Sequence, residues 1–147
     1  MALVEKSVLI ERSSQQMFEL VDRVEDYPIF LPWCSKSHCA FRDERKTVAT
    51  LYINYRSVKS HFTTENDKDA PLSMTIHLVD GPFRRLNGLW RFKSLAAQAC
   101  KIEFHLSYEF SSKMLEKVIG PVFGHIANSF VDAFVQRANE VYGLQHG

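Results

Sequence analysis

Residues 113–142 constrain the fold more than any other stretch, because their apolar side chains recur at helical spacing over about thirty positions. One stripe is apolar and consists of Ile119, Phe123, Ile126, Phe130, Phe134 and Val141. The opposite stripe is polar and consists of His125, Asn128, Ser129, Asp132, Gln136 and Asn139. The pattern predicts an amphipathic helix about 45 Å long, at about 1.5 Å per residue. Its apolar face needs a large apolar partner.

The chain before this helix consists mainly of segments in which apolar and polar residues alternate, as in strands with one buried face. The predicted strands are residues 3–11, 35–45, 46–55, 58–66, 74–78, 83–93 and 100–110. Turns separate them near residues 43–46, 56–57, 66–71 and 80–82. We therefore expect an α+β fold, in which a curved antiparallel sheet of about six or seven strands wraps the long C-terminal helix.

Two short helices are expected after the first strand. Ser13 would cap the first, with Gln16 completing a capping box. Residues 26–34 contain two prolines four positions apart, which allow only one short helical turn between them. This connector carries more apolar residues than a solvated loop normally does. It is either a lid over one end of a cavity or a hydrophobic plug that caps the core.

Two glycine-containing pairs leave local structure open. Asn87-Gly88 is typical of a tight hairpin, but the arm before it is short. We therefore expect a single strand with a bulge or a close approach at Gly88. Gly120-Pro121 predicts a short turn before the long helix proper, with Pro121 at its first position. The alternative is a kink inside the helix that acts as a hinge.

Composition indicates one domain, residues 1–147, with an ordinary globular balance and a formal charge of only +1. Bulk charge therefore does not argue for a nucleic-acid partner. The three cysteines, Cys34, Cys39 and Cys100, are an odd number, which argues against a disulfide framework and favours a reducing compartment. No signal-peptide pattern and no run of eighteen apolar residues occurs, so we expect a cytoplasmic protein without a transmembrane segment.

Two motifs carry a resemblance to a known family: Tyr27-Pro28-x-Phe30-Leu31-Pro32-Trp33-Cys34 and Gly81-Pro82-Phe83-Arg84-Arg85-Leu86-Asn87-Gly88-x-Trp90-Arg91-Phe92. With the predicted element order, they resemble the START-like helix-grip superfamily, and within it the RatA and coenzyme Q-binding branch of polyketide cyclase and lipid-transport proteins. The resemblance covers essentially the whole chain. It implies a deep cavity between the sheet and the long helix.

The resemblance implies one of two roles. One is non-catalytic binding of ubiquinone or a similar polyprenyl lipid, in support of respiration, with transient contact to a membrane surface. The other is that of a RatA-type toxin, which binds the large ribosomal subunit and blocks subunit association. No cofactor is required in either role, and ubiquinone would be a bound ligand. The two roles do not exclude each other, because a cavity and an outer surface are different sites.

The candidate ligand-binding residues are mostly apolar or aromatic, in a chain with 11 Phe, 5 Tyr and 2 Trp. They are Tyr27, Phe30, Leu31, Trp33, Leu51, Ile53, Tyr55, Phe62, Met74, Ile76, Phe83, Trp90, Phe104, Leu106, Tyr108, Phe123, Ile126, Ala127, Phe130 and Phe134. Apolar stripes usually form ordinary core, and only the resemblance raises the cavity interpretation to equal standing. Tyr55, Tyr108 and Asn54 are candidate anchors for a quinone head.

A second candidate site is basic. Arg84, Arg85, Arg91 and Lys93, with Arg56 and Lys59, are predicted on outward strand positions, where they would contact RNA phosphates or anionic lipid headgroups. The more ordinary interpretation, which we favour, is a solvated face with scattered ion pairs, because glutamates neighbour these residues in the predicted sheet.

The sequence gives no support for an enzyme. It contains no nucleophile motif, phosphate-binding loop or metal-ligand spacing. No general base is identifiable on a position that faces the predicted cavity. Cys34 is more typical of a small buried apolar residue than of a reactive thiol. We therefore predict a non-catalytic binding protein.

Overall fold

The computed structural model describes residues 1–143. In chain order the elements are β1 (Ala2–Ile10), α1 (Ser14–Asp22), a single 3₁₀ turn (Val24–Asp26), α2 (Tyr27–Phe30), β2 (Cys34–Arg42), β3 (Lys46–Tyr55), β4 (Val58–Asp69), β5 (Ser73–Asp80), β6 (Phe83–Ala96), β7 (Ala99–Phe110) and α3 (Lys113–Tyr142). The predicted α+β helix-grip architecture is confirmed. The last four residues of the predicted single domain lie outside the described residues.

The strands form one seven-stranded antiparallel sheet in the order β1-β7-β6-β5-β4-β3-β2. Strands β2 to β7 are a meander, and β1 returns to pair with β7, so that Ala2 lies opposite Tyr108 and Ile10 opposite Cys100. Every second residue of β7 is buried, because one face of the sheet meets α3. These residues are Cys100, Ile102, Phe104, Leu106, Tyr108 and Phe110, the alternate positions of the strand predicted over 100–110.

The short helices begin where the sequence predicted. The Ser13 hydroxyl accepts a hydrogen bond from the Gln16 backbone N–H at 3.1 Å, and the Gln16 side chain accepts one from the Ser13 N–H at 3.0 Å. This capping box satisfies two donors that a helix N-terminus would otherwise leave free. Pro28 lies in the first turn of α2, where its missing N–H costs nothing.

An ion-pair network joins the end of α1 to three strands. The Asp22 carboxylate accepts hydrogen bonds from the Thr47 hydroxyl at 2.8 Å and from the Lys68 ammonium at 3.0 Å. Arg42 approaches the same carboxylate and also forms two hydrogen bonds with Glu25. These bonds hold the pKa of Glu25 at about 2, against an ordinary value of 4.5. The network fixes α1 beside the sheet edge formed by β2, β3 and β4.

Helix α3 runs without interruption from Lys113 to Tyr142, so Pro121 lies inside it. The expected short turn before the helix proper is therefore wrong. Pro121 is exposed, and its ring replaces the N–H that would have bonded to the carbonyl of Lys117. The helix tolerates this loss at a position where water reaches the backbone.

Strand β6 is continuous through Asn87 and Gly88, as predicted, and it contains no hairpin there. A Cβ atom on Gly88 would lie 3.0 Å from Ile76 Cδ1 and 3.2 Å from Leu106 Cδ1. Gly88 is thus the expected close approach, which brings the side chains of the two neighbouring strands together. The register shifts of β6 lie near its two ends instead of at Gly88.

Strand β4 is longer than predicted. Residues 66–71 were expected to form a turn, but β4 continues to Asp69, with Asn66 opposite Thr47 on β3 and Ile76 on β5. Thr64 and Asn66 are buried on its inner face. The polar run Asn66-Asp67-Lys68-Asp69 indicated a turn because its composition is that of a loop. Strand pairing on both sides overrides that local preference.

By length and mean hydropathy alone, α3 would be able to cross a membrane, since an 18-residue window reaches a mean hydropathy of 1.4. The buried core helix of a water-soluble domain meets the same criterion. The apolar side chains of α3 are packed against the sheet, including Ile119, Phe123, Ile126 and Phe134. We therefore assign the hydropathy of α3 to core packing.

Candidate functional site

A narrow cavity of about 60 Å³ lies between the inner face of the sheet and α3. Its lining comes from the sheet, from α3 and from the segment between α1 and β2. The lining residues are Val21, Val24, Tyr27, Trp33, Ala49, Leu51, Phe62, Thr64, Asn66, Met74, Ile76, Leu86, Trp90, Phe104, Leu106, Phe123, Ile126, Ala127 and Phe130. Among these described residues none is charged and none is histidine or cysteine.

Most of the predicted ligand-binding residues line this cavity. They are Tyr27, Trp33, Leu51, Phe62, Met74, Ile76, Trp90, Phe104, Leu106, Phe123, Ile126, Ala127 and Phe130. Sequence reasoning missed Val21, Val24, Ala49, Thr64, Asn66 and Leu86. Ala49 alternates with Leu51 on β3, and Val21 lies on the buried side of α1, so strand and helix periodicity could have included both. Thr64 and Asn66 gave no apolar signal.

Seven predicted residues lie outside the lining: Phe30, Leu31, Ile53, Tyr55, Phe83, Tyr108 and Phe134. Phe134 and Phe30 pack against one another at 5.2 Å between ring centroids, on the far side of Tyr27. Phe83 and Tyr108 belong to a second aromatic cluster with Phe110 and Phe123 near the start of α3. These rings pack against other aromatic side chains instead of bordering the cavity.

The cavity is much smaller than the deep one that the family resemblance implied. A single water needs about 10–15 Å³ of such space, so the cavity corresponds to about four to six waters. Phe130 accounts for part of the difference. Its ring lies 5.7 Å from both Trp90 and Phe104, centroid to centroid. A ligand with a long chain therefore enters only if Phe130 or its neighbours move.

The polar groups of the lining are few. Asn66 is 8% exposed, and within the described chain its Oδ1 atom accepts no hydrogen bond. An unpaired buried polar atom costs about 1–3 kcal/mol. The Tyr27 hydroxyl, in contrast, donates a hydrogen bond to the Val21 carbonyl at 2.5 Å. Burial away from water raises the pKa of Tyr27 well above its ordinary value, so this hydroxyl stays neutral.

The three predicted head-group anchors do not reach the cavity. Asn54 is exposed on β3. Tyr55 lies outside, where its ring stacks on His125 at 5.7 Å between centroids with an interplanar angle of 2°. Tyr108 is buried among phenylalanine rings, and that burial raises the pKa of its hydroxyl. Alternation along a strand indicates which residues share a face, but it does not predict which positions along the strand border open space.

The connector, residues 27–34, separates the cavity from an outer groove. This groove, of about 520 Å³, lies between the connector and the polar side of α3. Trp33 borders both the groove and the cavity and is only 3% exposed. Ile29 and Pro32 are exposed on the groove side. The Trp33 side chain is thus the partition between the two spaces.

The predicted basic residues are spread over a large surface. Arg85 and Lys93 are eight residues apart on β6, which corresponds to about 26 Å at about 3.3 Å per residue. Arg56 lies in the turn between β3 and β4, and Lys59 is the second residue of β4. Arg56 has a φ of +50° and places its guanidinium 5.0 Å from the centroid of the Tyr55 ring. The six residues therefore do not form one compact patch.

Carboxylates alternate with these cations on β6 and β7. Glu109 pairs in register with Arg85 and lies 3.5 Å from the guanidinium of Arg84. Glu103 pairs in register with Arg91. Lys93 differs, because its register partner on β7 is Lys101. The arrangement is that of a mixed surface whose cations are partly neutralised.

The sequence and the fold of this chain both resemble those of known proteins. The sequence matches the family described as polyketide cyclase/dehydrase and lipid transport over residues 10–135, which is most of the chain. The chain belongs to this family. The description covers enzymes as well as lipid carriers, so membership by itself does not decide between catalysis and binding.

Members of the family that resemble this chain include proteins with two kinds of name. The ribosome association toxin RatA of Vibrio cholerae is 42% identical over 97% of this chain and 99% of its own length. The mitochondrial coenzyme Q-binding protein COQ10 homolog B of Xenopus laevis is 28% identical over 95% of this chain and 59% of its own length. The START-like family branch predicted from the two motifs is thereby confirmed.

Solved structures share the fold. A START superfamily protein from Mycobacterium smegmatis superimposes with a TM-score of 0.74 over 95% of this chain and 98% of its own. Its sequence identity is 18%, so the similarity concerns the fold alone. The helix-grip arrangement of a sheet around one long helix is common to both proteins.

Proposed function

We propose that this protein is a non-catalytic binding protein whose cavity takes an apolar ligand, namely a ubiquinone or similar polyprenyl lipid. The observation that carries the proposal is a buried cavity lined almost entirely by apolar and aromatic side chains. The absence of charged, histidine and cysteine side chains from the described lining argues against general acid–base chemistry there. The family description and the coenzyme Q-binding relative support a lipid.

The free energy of binding would come from the burial of apolar ligand surface. Burial of about 400 Å² of ligand surface at about 25 cal/mol/Å² gives on the order of 10 kcal/mol before ordering costs. The present cavity is too small for that area, so part of this free energy would be spent on displacing Phe130 and Trp33. We expect a bound state in which the connector has moved away from α3.

Native mass spectrometry of protein purified without detergent, followed by organic extraction, tests this proposal. A co-purified polyprenyl quinone or another lipid of that class supports the carrier function. A protein that is empty and that also fails to take up added ubiquinone contradicts it.

Trp33→Ala distinguishes the lid from the plug. If the connector is a lid, we expect the variant to lose more free energy of ligand binding than free energy of unfolding, because Trp33 closes the cavity against the groove. Ligand titration and thermal unfolding provide the two readouts. Equal losses of affinity and stability would indicate a plug.

A second candidate function is association with the large ribosomal subunit in the manner of a RatA toxin. Sequence identity to this chain favours this role, because it is 42% for the RatA toxin of Vibrio cholerae and 28% for the coenzyme Q-binding relative. The surface would be the outer face of the sheet, where Arg84, Arg85, Arg91 and Lys93 are exposed, with Arg56 and Lys59 at its end. This role, like the first, places the protein in the cytoplasm.

Charge reversal at Arg84 and Arg85 tests the ribosome contact. If these residues contact RNA phosphates, the double variant Arg84→Glu/Arg85→Glu should lose at least tenfold in affinity for large subunits and show a weaker dependence on salt. Co-sedimentation at two salt concentrations measures both. The matched control is Arg23→Glu/Arg45→Glu, which changes two exposed arginines outside the candidate basic surface. Unchanged co-sedimentation of the first variant would remove these arginines from the interface.

A further inference from the structure

Asn66 is the feature of the cavity that a purely apolar ligand does not explain. It lies on the inner face of β4, and its amide oxygen has no hydrogen-bond partner in the described chain. Thr64 lies two residues before it on the same face and also lines the cavity. Together, Asn66 and Thr64 form what we call the polar end of the cavity.

The groups around the polar end are already engaged. Lys68, the next inward residue of β4, bonds to Asp22. The Thr47 hydroxyl, on the neighbouring strand opposite Asn66, donates to the same carboxylate. The Tyr27 hydroxyl bonds to the Val21 carbonyl. None of these groups forms a hydrogen bond with Asn66, so the Asn66 amide faces the cavity without a protein partner.

We propose that the polar end binds a hydroxyl group carried by an otherwise apolar ligand, such as an alkylphenol, an inference that rests on the proposed cavity function. A hydroxyl both donates and accepts, so it donates to Asn66 Oδ1 and at the same time accepts from the amide N–H₂. A carbonyl or ether oxygen has no proton to donate and leaves Oδ1 unpaired. The site therefore selects the hydroxylated form of a ligand over a form that lacks the O–H. For a polyprenyl lipid of the proposed function, that form is the quinol, because the quinone carries only carbonyl and ether oxygens.

A matched pair of small probes tests this selection. 4-Propylphenol and propylbenzene have nearly the same shape and differ by one hydroxyl. Isothermal titration calorimetry of the wild-type protein should give at least tenfold tighter binding for the phenol. Asn66→Leu keeps the side-chain size and should abolish that preference, and the empty variant should unfold at the same temperature as the wild type or above it, because an unpaired polar atom is removed.

Two further variants make the test specific. Thr64→Val should reduce the preference for the phenol without abolishing it. This variant provides the test of the hydroxyl site if Asn66→Leu fails to fold. Asn54→Leu changes an exposed asparagine on β3 and should leave the preference unchanged.

The outcomes separate this inference from the proposed function. If both probes bind the wild-type protein with equal affinity, or if Asn66→Leu retains the preference, the hydroxyl site is refuted while the apolar cavity stands. If neither probe binds, the proposed cavity function fails and the inference fails with it.

Discussion

Replacing Phe134 by alanine should lower the free energy of unfolding by about 4 kcal/mol, the cost typical of removing a fully buried phenylalanine ring. Phe134 is 0% exposed, and its ring lies between 5.0 and 5.4 Å from those of Phe130, Tyr27, Phe30 and Trp90. One side chain therefore connects α3, the connector and the sheet. Urea denaturation followed by tryptophan fluorescence measures the loss.

Phe130→Ala is the matched control, one helical turn earlier on α3. Phe130 is only half-buried and borders the cavity, so we expect a smaller loss of about 2 kcal/mol. Because its ring narrows the cavity, its removal should also strengthen the binding of a long-chain ligand. A loss below about 1 kcal/mol for Phe134→Ala would contradict the connecting role of that ring.

Asp22→Ala should destabilise the protein by about 3–5 kcal/mol, because it leaves the Lys68 ammonium buried without a counter-charge. The Lys68 side chain is only 4% exposed, and Asp22 is 3.0 Å away. Arg42, 3.5 Å from Asp22, keeps its hydrogen bonds to Glu25, so Lys68 is the cation that loses its counter-charge. The free energy of unfolding from urea denaturation at neutral pH is the measurement.

Two comparisons make the Asp22 prediction specific. Asp26→Ala removes an ion pair with Arg23 in which the side chains are 36% and 71% exposed, so it should cost at most about 1 kcal/mol. Asp22→Ala/Lys68→Met removes both buried charges and should recover most of the lost stability. If Asp22→Ala and Asp26→Ala had equal effects, Asp22 would not be a buried counter-charge.

The sequence predicted those features that depend on local pattern. The capping box at Ser13 and the alternating burial of β7 follow from spacing along the chain, and both are observed. The long helix was placed correctly, although Pro121 was expected to precede it. Pro121 removes one hydrogen bond of the helix, and packing of the helix on the sheet compensates for that loss. The strength of this packing cannot be read from the local sequence, which explains the error.

Features that depend on side-chain packing could not be predicted in the same way. The width of the cavity is set by the ring orientations of Phe130, Trp90 and Phe104, which belong to three different elements. The polar end was missed because Asn66 stands in a polar run typical of a turn. Its inward orientation follows from strand pairing with β3 and β5, and such pairing is a long-range property.

The pairing of β1 with β7 also has a consequence for synthesis. Ile10 lies opposite Cys100, so the first strand, once complete, has no partner until about ninety further residues have been added. At about 5–20 residues per second, the nascent chain would carry an unpaired first strand for roughly 5–20 s. The exposed backbone edge of β1 is then open to other chains. We expect the yield of folded protein to depend on chaperones. The stability of the folded state should depend on them less.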